Sequence, residues 1–223
     1  MRFAGRLVAW GTLLVVDVMV FAAGMGRLGL LIGVVFAIAS TWWMWFLLPR
    51  SAHRAFDQGQ VDRAARRYRY VQALAFTHAR ERAALLSRAG AHVAAGRLDV
   101  AERLLGELDP DQLDSAERAV WLNNRACALL ARGTDPQGAL ALSEQASLLR
   151  PDVPALMHTR GMALLGVGRV DDAIAVFDNM RIGGELAPRL EADRCRDLAT
   201  AWERKGQAAY ASDYRMRADA HGR

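Results

Sequence analysis

Two kinds of hydrophobic pattern divide the chain. Leu7 to Met25 and Leu28 to Leu48 are apolar almost without a break, and each run has about the ~20 residues that a bilayer-spanning helix needs. Beyond about residue 50 the apolar positions fall three and four apart among charged ones, which is the period of helices with one buried face. Only Gly26 and Arg27 join the two apolar runs, so they predict a tight helical hairpin. Pro49 and Arg50 close the second run, and Ser51 is placed to cap a short helix from Ala52 to Gln58.

The amphipathic part repeats a six-residue phrase: Gly59-Gln-Val-Asp-Arg-Ala64, Gly96-Arg-Leu-Asp-Val-Ala101 and Gly168-Arg-Val-Asp-Asp-Ala173. Each copy sits between two helical-period stretches and so predicts a helix-turn-helix. The glycine supplies a left-handed turn that ends one helix. The aspartate lies where the next begins, placed to cap free amides. The alanine is small because the two helices approach there. The gap between Gly96 and Gly168 is close to two periods, and a longer copy fills it, Gly133-Thr-Asp-Pro-Gln-Gly-Ala139, with Asp135 as cap and Pro136 as first helical residue. A fainter fifth copy is Gly206-Gln-Ala-Ala-Tyr-Ala211. Self-similarity at this period is the mark of a repeat array.

The fourth unit resembles a tetratricopeptide repeat (TPR): Gly161 and Leu164 on its first helix, Gly168 in the turn, Ala173 and Phe177 on its second. The third carries Ala126, Leu129, Ala139, Ala146 and a closing Pro151; the second carries Leu85, Ala89, Gly96, Ala101 and Leu105. The family's early tryptophan is replaced by Leu85, Leu122 and Met157. The resemblance covers roughly residues 50 to 220 and implies a scaffold fold, not a reaction. It also implies that the first helix of each unit lines an inner groove. That places Leu86, Ser87 and Gly90, then Asn123, Asn124 and Cys127, then His158, Thr159 and Met162 along the groove. Asn123 and Asn124 suit a partner's backbone, since an amide side chain both donates and accepts. A clamp for a chaperone's terminal carboxylate is not expected, because Leu86, Ala155 and Thr159 stand where its basic residues belong.

Charge then orients the chain. The net charge is +5 over 223 residues, and Lys205 is the only lysine. Arg2 and Arg6 precede the first span, Arg27 alone sits in the turn, and Arg50, Arg54, Arg63, Arg66, Arg67 and Arg69 follow the second. The positive-inside rule puts both termini and the repeats in the cytoplasm. Trp10 and the cluster Trp42, Trp43 and Trp45 then share the cytoplasmic interface, where indoles prefer to sit. Reading the first span as a cleaved signal, cut near Ala22-Ala-Gly24, conflicts with Asp17 in its apolar region. Gly29, Gly33 and Ala37 make a small-residue face for helix packing, on the first span or on a partner. Asp17 is either an intramembrane polar contact to a partner or a protonated acid bonded locally. Arg63, Arg66 and Arg67 form a lipid-facing cluster or a plain solvated face.

Little else in the chain carries chemistry. Gly24-Met-Gly-Arg-Leu-Gly29 spells a dinucleotide-binding pattern, but it lies between apolar spans instead of between a strand and a helix. His53, His78, His92, His158 and His221 are scattered without metal-ligand spacing, and Cys127 and Cys195 suggest no disulfide framework. Aromatics do not interleave with the arginines, so no nucleic-acid partner is expected. The sequence therefore predicts an all-α chain. Residues 1–49 form a two-span transmembrane anchor, and residues 50–223 a cytoplasmic TPR-like α-solenoid of about five helix pairs. Its units run approximately over 50–78, 82–115, 119–153, 154–187 and 192–220. The expected role is a bacterial inner-membrane scaffold without catalytic activity or cofactor. It would hold protein partners through the groove, touch membrane lipids, and assist assembly or recruitment of a membrane-associated complex. The alternative is an accessory subunit of a membrane enzyme or transport complex, contacting other membrane subunits through the hairpin and Asp17.

Overall fold

The structure, a computed structural model, describes residues 2–181 and 184–221, with the backbone alone for residues 2–8. The side chains of Arg2, Arg6 and Leu7, and residues 182–183 of the expected fourth unit, lie outside the described residues. Every element among the described residues is helical.

α1 covers Arg2–Trp42 as one helical element, so the two spans with a turn of their own are replaced by a single run. Only Gly26 leaves helical dihedrals, at φ 60° and ψ −136°, a region open to glycine because it has no Cβ. In a straight helix Phe21 and Phe36 would stand roughly 22 Å apart at 1.5 Å per residue. Their ring centroids lie 6.3 Å apart. The run therefore bends back at Gly26, and one residue does what a loop was expected to do. The buried Gly29 and Gly33 face the first arm: a Cβ on Gly33 would come 2.9 Å from the Val18 Cα. Packing within the chain thus occupies the small-residue face. The outside is apolar and exposed, with Leu13, Val16, Val20, Leu31, Val35 and Ile38 all uncovered.

The second arm does not stop at Pro49. A π-helical turn, Trp43–Leu47, leads directly into α2, Leu48–Asp57, and the stretch Ala9–Asp57 is long and apolar enough to cross a membrane. A proline inside a helix removes one N–H and crowds the carbonyl four residues back. The widened turn makes room for it, as π-turns do. The carbonyls left over are satisfied from outside the helix: Arg80 Nη2 donates to Trp45 O at 2.9 Å and to Met44 O at 3.2 Å. Ser51 is mid-helix, and its hydroxyl donates back to Leu48 O at 2.8 Å instead of capping.

Five antiparallel pairs follow: α2 with α3 (Val61–Ala73), α4 (His78–Ala94) with α5 (Leu98–Gly106), and α6 (Ser115–Arg132) with α7 (Pro136–Leu149). The last two are α8 (Pro154–Gly166) with α9 (Val170–Asn179), and α10 (Pro188–Arg204) with α11 (Ala208–His221). Gly59, Gly96, Gly133, Gly168 and Gly206 all take positive φ in the turns between the helices of a pair. Ala64, Ala101, Ala139, Ala173 and Ala211 are completely buried. The pairs stack through the second helix of one on the first helix of the next, α3 on α4, α5 on α6, α7 on α8 and α9 on α10, and through first helices, α4 on α6, α6 on α8 and α8 on α10. Apolar clusters centred on Leu85, Leu105 and Leu122, and on Leu164, Phe177 and Leu198, fill the layer between first and second helices.

The phrase aspartates take a different role from the one expected. Asp135 does cap α7, accepting from the Gly138 amide with Pro136 as first helical residue. Asp62, Asp99 and Asp171 instead lie one step inside their helices, whose cap residues Gln60, Arg97 and Arg169 make no side-chain capping bond. Each reaches the next repeat boundary it meets. Asp62 pairs with Arg97 at 2.5 Å, Asp99 with Arg132 at 2.7 Å, and Asp171 with Lys205. Exposed pairs of this kind contribute little to stability; what they fix is the register between neighbouring turns.

Candidate functional site

The first helices α4, α6 and α8 present one face inward, and α2 and α10 close it from either end. Arg189, in the first turn of α10, donates to Phe56 O at 2.5 Å and lays its guanidinium 4.9 Å from the Phe56 ring centroid. Phe56 ends the first repeat's leading helix, so this contact joins the first and last units. The groove becomes a chamber of about 650 Å³. Its apolar wall includes Val93, Leu130, Ala131, Met162 and Leu190.

All six groove residues expected from sequence, Asn123, Asn124, Cys127, His158, Thr159 and Met162, line this chamber. They are not equally available. Asn124 is 7% exposed and donates to Leu86 O at 2.9 Å, so it ties α6 to α4. Thr159 is 2% exposed; its hydroxyl donates to Ala155 O at 3.1 Å and lies 3.3 Å from the Cys127 sulfur. Burial pushes the Cys127 thiol above its ordinary range, and the Thr159 hydrogen bond pulls weakly the other way. Leu86 is buried in the core, whereas Gly90 opens the wall opposite Asn124.

The chamber's open chemistry lies in three acceptors. Asn123 Oδ1 is shielded from solvent and accepts no hydrogen bond. Asp197 has the His158 imidazole 2.9 Å away as its ion-pair partner. Asp57 forms no ion pair among the described residues. The cations at the rim are already engaged: Arg196 with Asp193, and Arg189 with Phe56 O and, at 3.9 Å, Asp193. Sequence reasoning missed Asp57, Arg189 and Asp197, which lie on the first helices of the first and last units, because nothing local says that those two helices meet.

The other expected residues lie apart from the chamber. Asp17, half-buried on α1, has no hydrogen bond or ion pair among the described residues. Trp42, Trp43 and Trp45 are exposed, and Trp10 is half-buried with its Nε1 unpaired. Arg63 and Arg66 are exposed on α3. Arg67 is not part of that open cluster: it is turned inward, and its Nη1 donates to Ser51 O at 2.7 Å.

Compared with known proteins, the sequence matches no family profile and no curated protein. One solved structure that it is similar to is named MamA MSR-1 C2, at 20% identity and a TM-score of 0.47, covering 80% of this chain and 94% of that one.

Proposed function

We propose that this chain is a membrane-anchored scaffold of the tetratricopeptide kind, holding a protein partner at the cytoplasmic face of a bacterial inner membrane. The observation that carries the reading is continuity. An apolar double arm, bare on its outside, runs without a break into the first helix of a stacked array whose inner face encloses a lined chamber. An exposed apolar surface of that extent calls for lipid or protein cover, and twenty-residue arms match the bilayer core. The arginine distribution, read by the positive-inside rule, supports a cytoplasmic side for both termini and the repeats. The exposed Arg63 and Arg66, near the foot of the anchor, contribute to contact with anionic headgroups. The role is assembly or recruitment by binding, with no catalytic step and no cofactor.

The test is affinity purification of the full chain in mild detergent, with mass spectrometry of what accompanies it, beside Ala131→Trp, which fills the chamber from an exposed wall position. Loss of the same partner from the variant supports the scaffold reading. Equal capture by both forms sinks the chamber as the binding surface.

A second reading, an accessory subunit that uses its anchor, draws on Asp17. A carboxyl at mid-membrane without a partner among the described residues is costly and usually meets protein. It predicts that an unrelated two-arm anchor in place of residues 1–48 abolishes function while leaving membrane attachment intact.

A further inference from the structure

We propose that the chamber binds a basic side chain of a partner peptide, presented on a short extended segment. This rests on the scaffold reading and names the chemistry of what the array holds. Size comes first. An α-helix with its side chains is 10–12 Å across, so one 5.4 Å turn occupies roughly 500 Å³. A chamber of about 650 Å³ is matched in volume by little more than one such turn. The Arg189–Phe56 contact also bars the open groove along which a longer amphipathic helix would lie.

Charge then selects the occupant. Asn123 Oδ1, which accepts no hydrogen bond, the Asp57 carboxylate, without an ion pair among the described residues, and the Asp197 carboxylate, whose partner is the His158 imidazole, are all acceptors. The two guanidinium groups at the rim already serve a protein carbonyl and the Asp193 carboxylate. An acidic side chain would be repelled by the Asp57 and Asp197 carboxylates, and a neutral apolar one would leave them without a counter-charge, while a peptide backbone N–H of any sequence can serve Asn123 Oδ1. An ammonium or guanidinium supplies several N–H donors and a charge opposite to that of the carboxylates. Its alkyl stem packs on apolar wall such as Leu130, Met162 and Leu190, as long cationic side chains do.

Isothermal titration of the full chain in detergent micelles tests this with three capped pentapeptides that differ only at the centre: lysine, norleucine or glutamate. The expected result is at least tenfold tighter binding of the lysine peptide. Asn123→Leu and Asp197→Asn should each lose at least tenfold, with Asp99→Asn on the outer surface unchanged. Asp57→Asn alters an exposed group and leaves packing intact, so its loss of affinity reads the charge without a folding artefact. Preference for the norleucine or glutamate peptide overturns the proposal and leaves peptide capture by the chamber standing. Absence of heat with all three at about 1 mM, the weak limit of specific binding, overturns both. Full affinity in the Asp57 and Asp197 variants also overturns the proposal.

Discussion

Arg80 of α4 donates to the carbonyl of Trp45 at 2.9 Å and places its guanidinium 4.6 Å from the centroid of that indole ring. Trp45 in turn stacks on Phe76 at 6.1 Å. The carbonyl is free because Pro49, four residues on, has no N–H to give it. One arginine of the second repeat thus completes a helix that begins in the apolar N-terminal run, and the joint between that run and the array is built instead of left as a linker. Replacing Arg80 by alanine should lower stability by about 1–2 kcal/mol, from a lost charged hydrogen bond and a lost cation–π contact. Hydrogen exchange should quicken at residues 45–50 and not in α8 or α9. Unchanged exchange there would show that the joint does not depend on Arg80.

Gly161 and Phe177 mark the closest approach within the fourth pair. A Cβ on Gly161 would fall 2.4 Å from Phe177 Cε1, and Phe177 is completely buried. Gly161→Ala should cost about 1–3 kcal/mol by overpacking. The cost should shrink when Phe177→Leu is added, so that the two changes together are less than additive in denaturant titration.

Gly168 has φ 82°. An alanine there meets backbone strain of about 1–2 kcal/mol whatever the space around it. Gly106, within α5 and with nothing near its Cβ position, is the contrast. Gly106→Ala should stabilise by roughly 0.5–1 kcal/mol through the entropy of the unfolded chain. Melting temperatures moving in opposite directions would check both.

Glu191 and Arg194 form a bidentate pair at 2.8 Å and 2.6 Å, with Arg194 only 2% exposed. The Arg194 hydrogen bond holds the Glu191 carboxyl below the usual glutamate range, against the opposing effect of burial. A carboxyl held low in the folded state stabilises above its unfolded value, about 4.3 for a free glutamate, and loses that contribution as pH falls through the folded value. Glu191→Gln should therefore cost roughly 3 kcal/mol near neutrality, because Arg194 stays buried. It should also flatten the decline in melting temperature on going from about pH 5 toward pH 3.

Burial pushes both thiols, Cys127 and Cys195, above the ordinary cysteine value. Because the thiolate is the reactive form, iodoacetamide at pH 8 should label the native chain far more slowly than the unfolded one. Rapid labelling of Cys127 in native protein would mean that burial does not hold its thiol in the unreactive form.

Turn glycines and helix-contact alanines were legible because each answers a local demand: a positive φ or a zero-clearance contact. The groove face was legible for a similar reason, since a repeat fixes which helix face points inward. Asn124 and Thr159 show the limit of that rule, because facing inward does not decide whether a polar group is spent on the neighbouring helix. Pro49 carried a signal that was read as a stop. A proline within an apolar helical run also announces a freed carbonyl, though nothing local says that Arg80 answers it. The Asp62–Arg97 and Asp99–Arg132 pairs look like caps in sequence because the helix starts a residue or two earlier than the phrase implies. Least legible was the meeting of Phe56 with Arg189, which sums small rotations over every repeat between them.

That meeting changes how the array folds. In an open stack each unit touches only its neighbours, and the terminal units fray independently while the middle holds. Here the bond from Arg189 to Phe56 spans 133 residues, a closure whose loop entropy is met only after the intervening units are ordered. Once formed, it leaves the stack without two separate ends. Loosening α10 releases α2 as well, and any displacement of α2 would be felt at the last pair. The first and last repeats should unfold as one cooperative unit, and the closing contact should be the slowest native contact to appear in refolding.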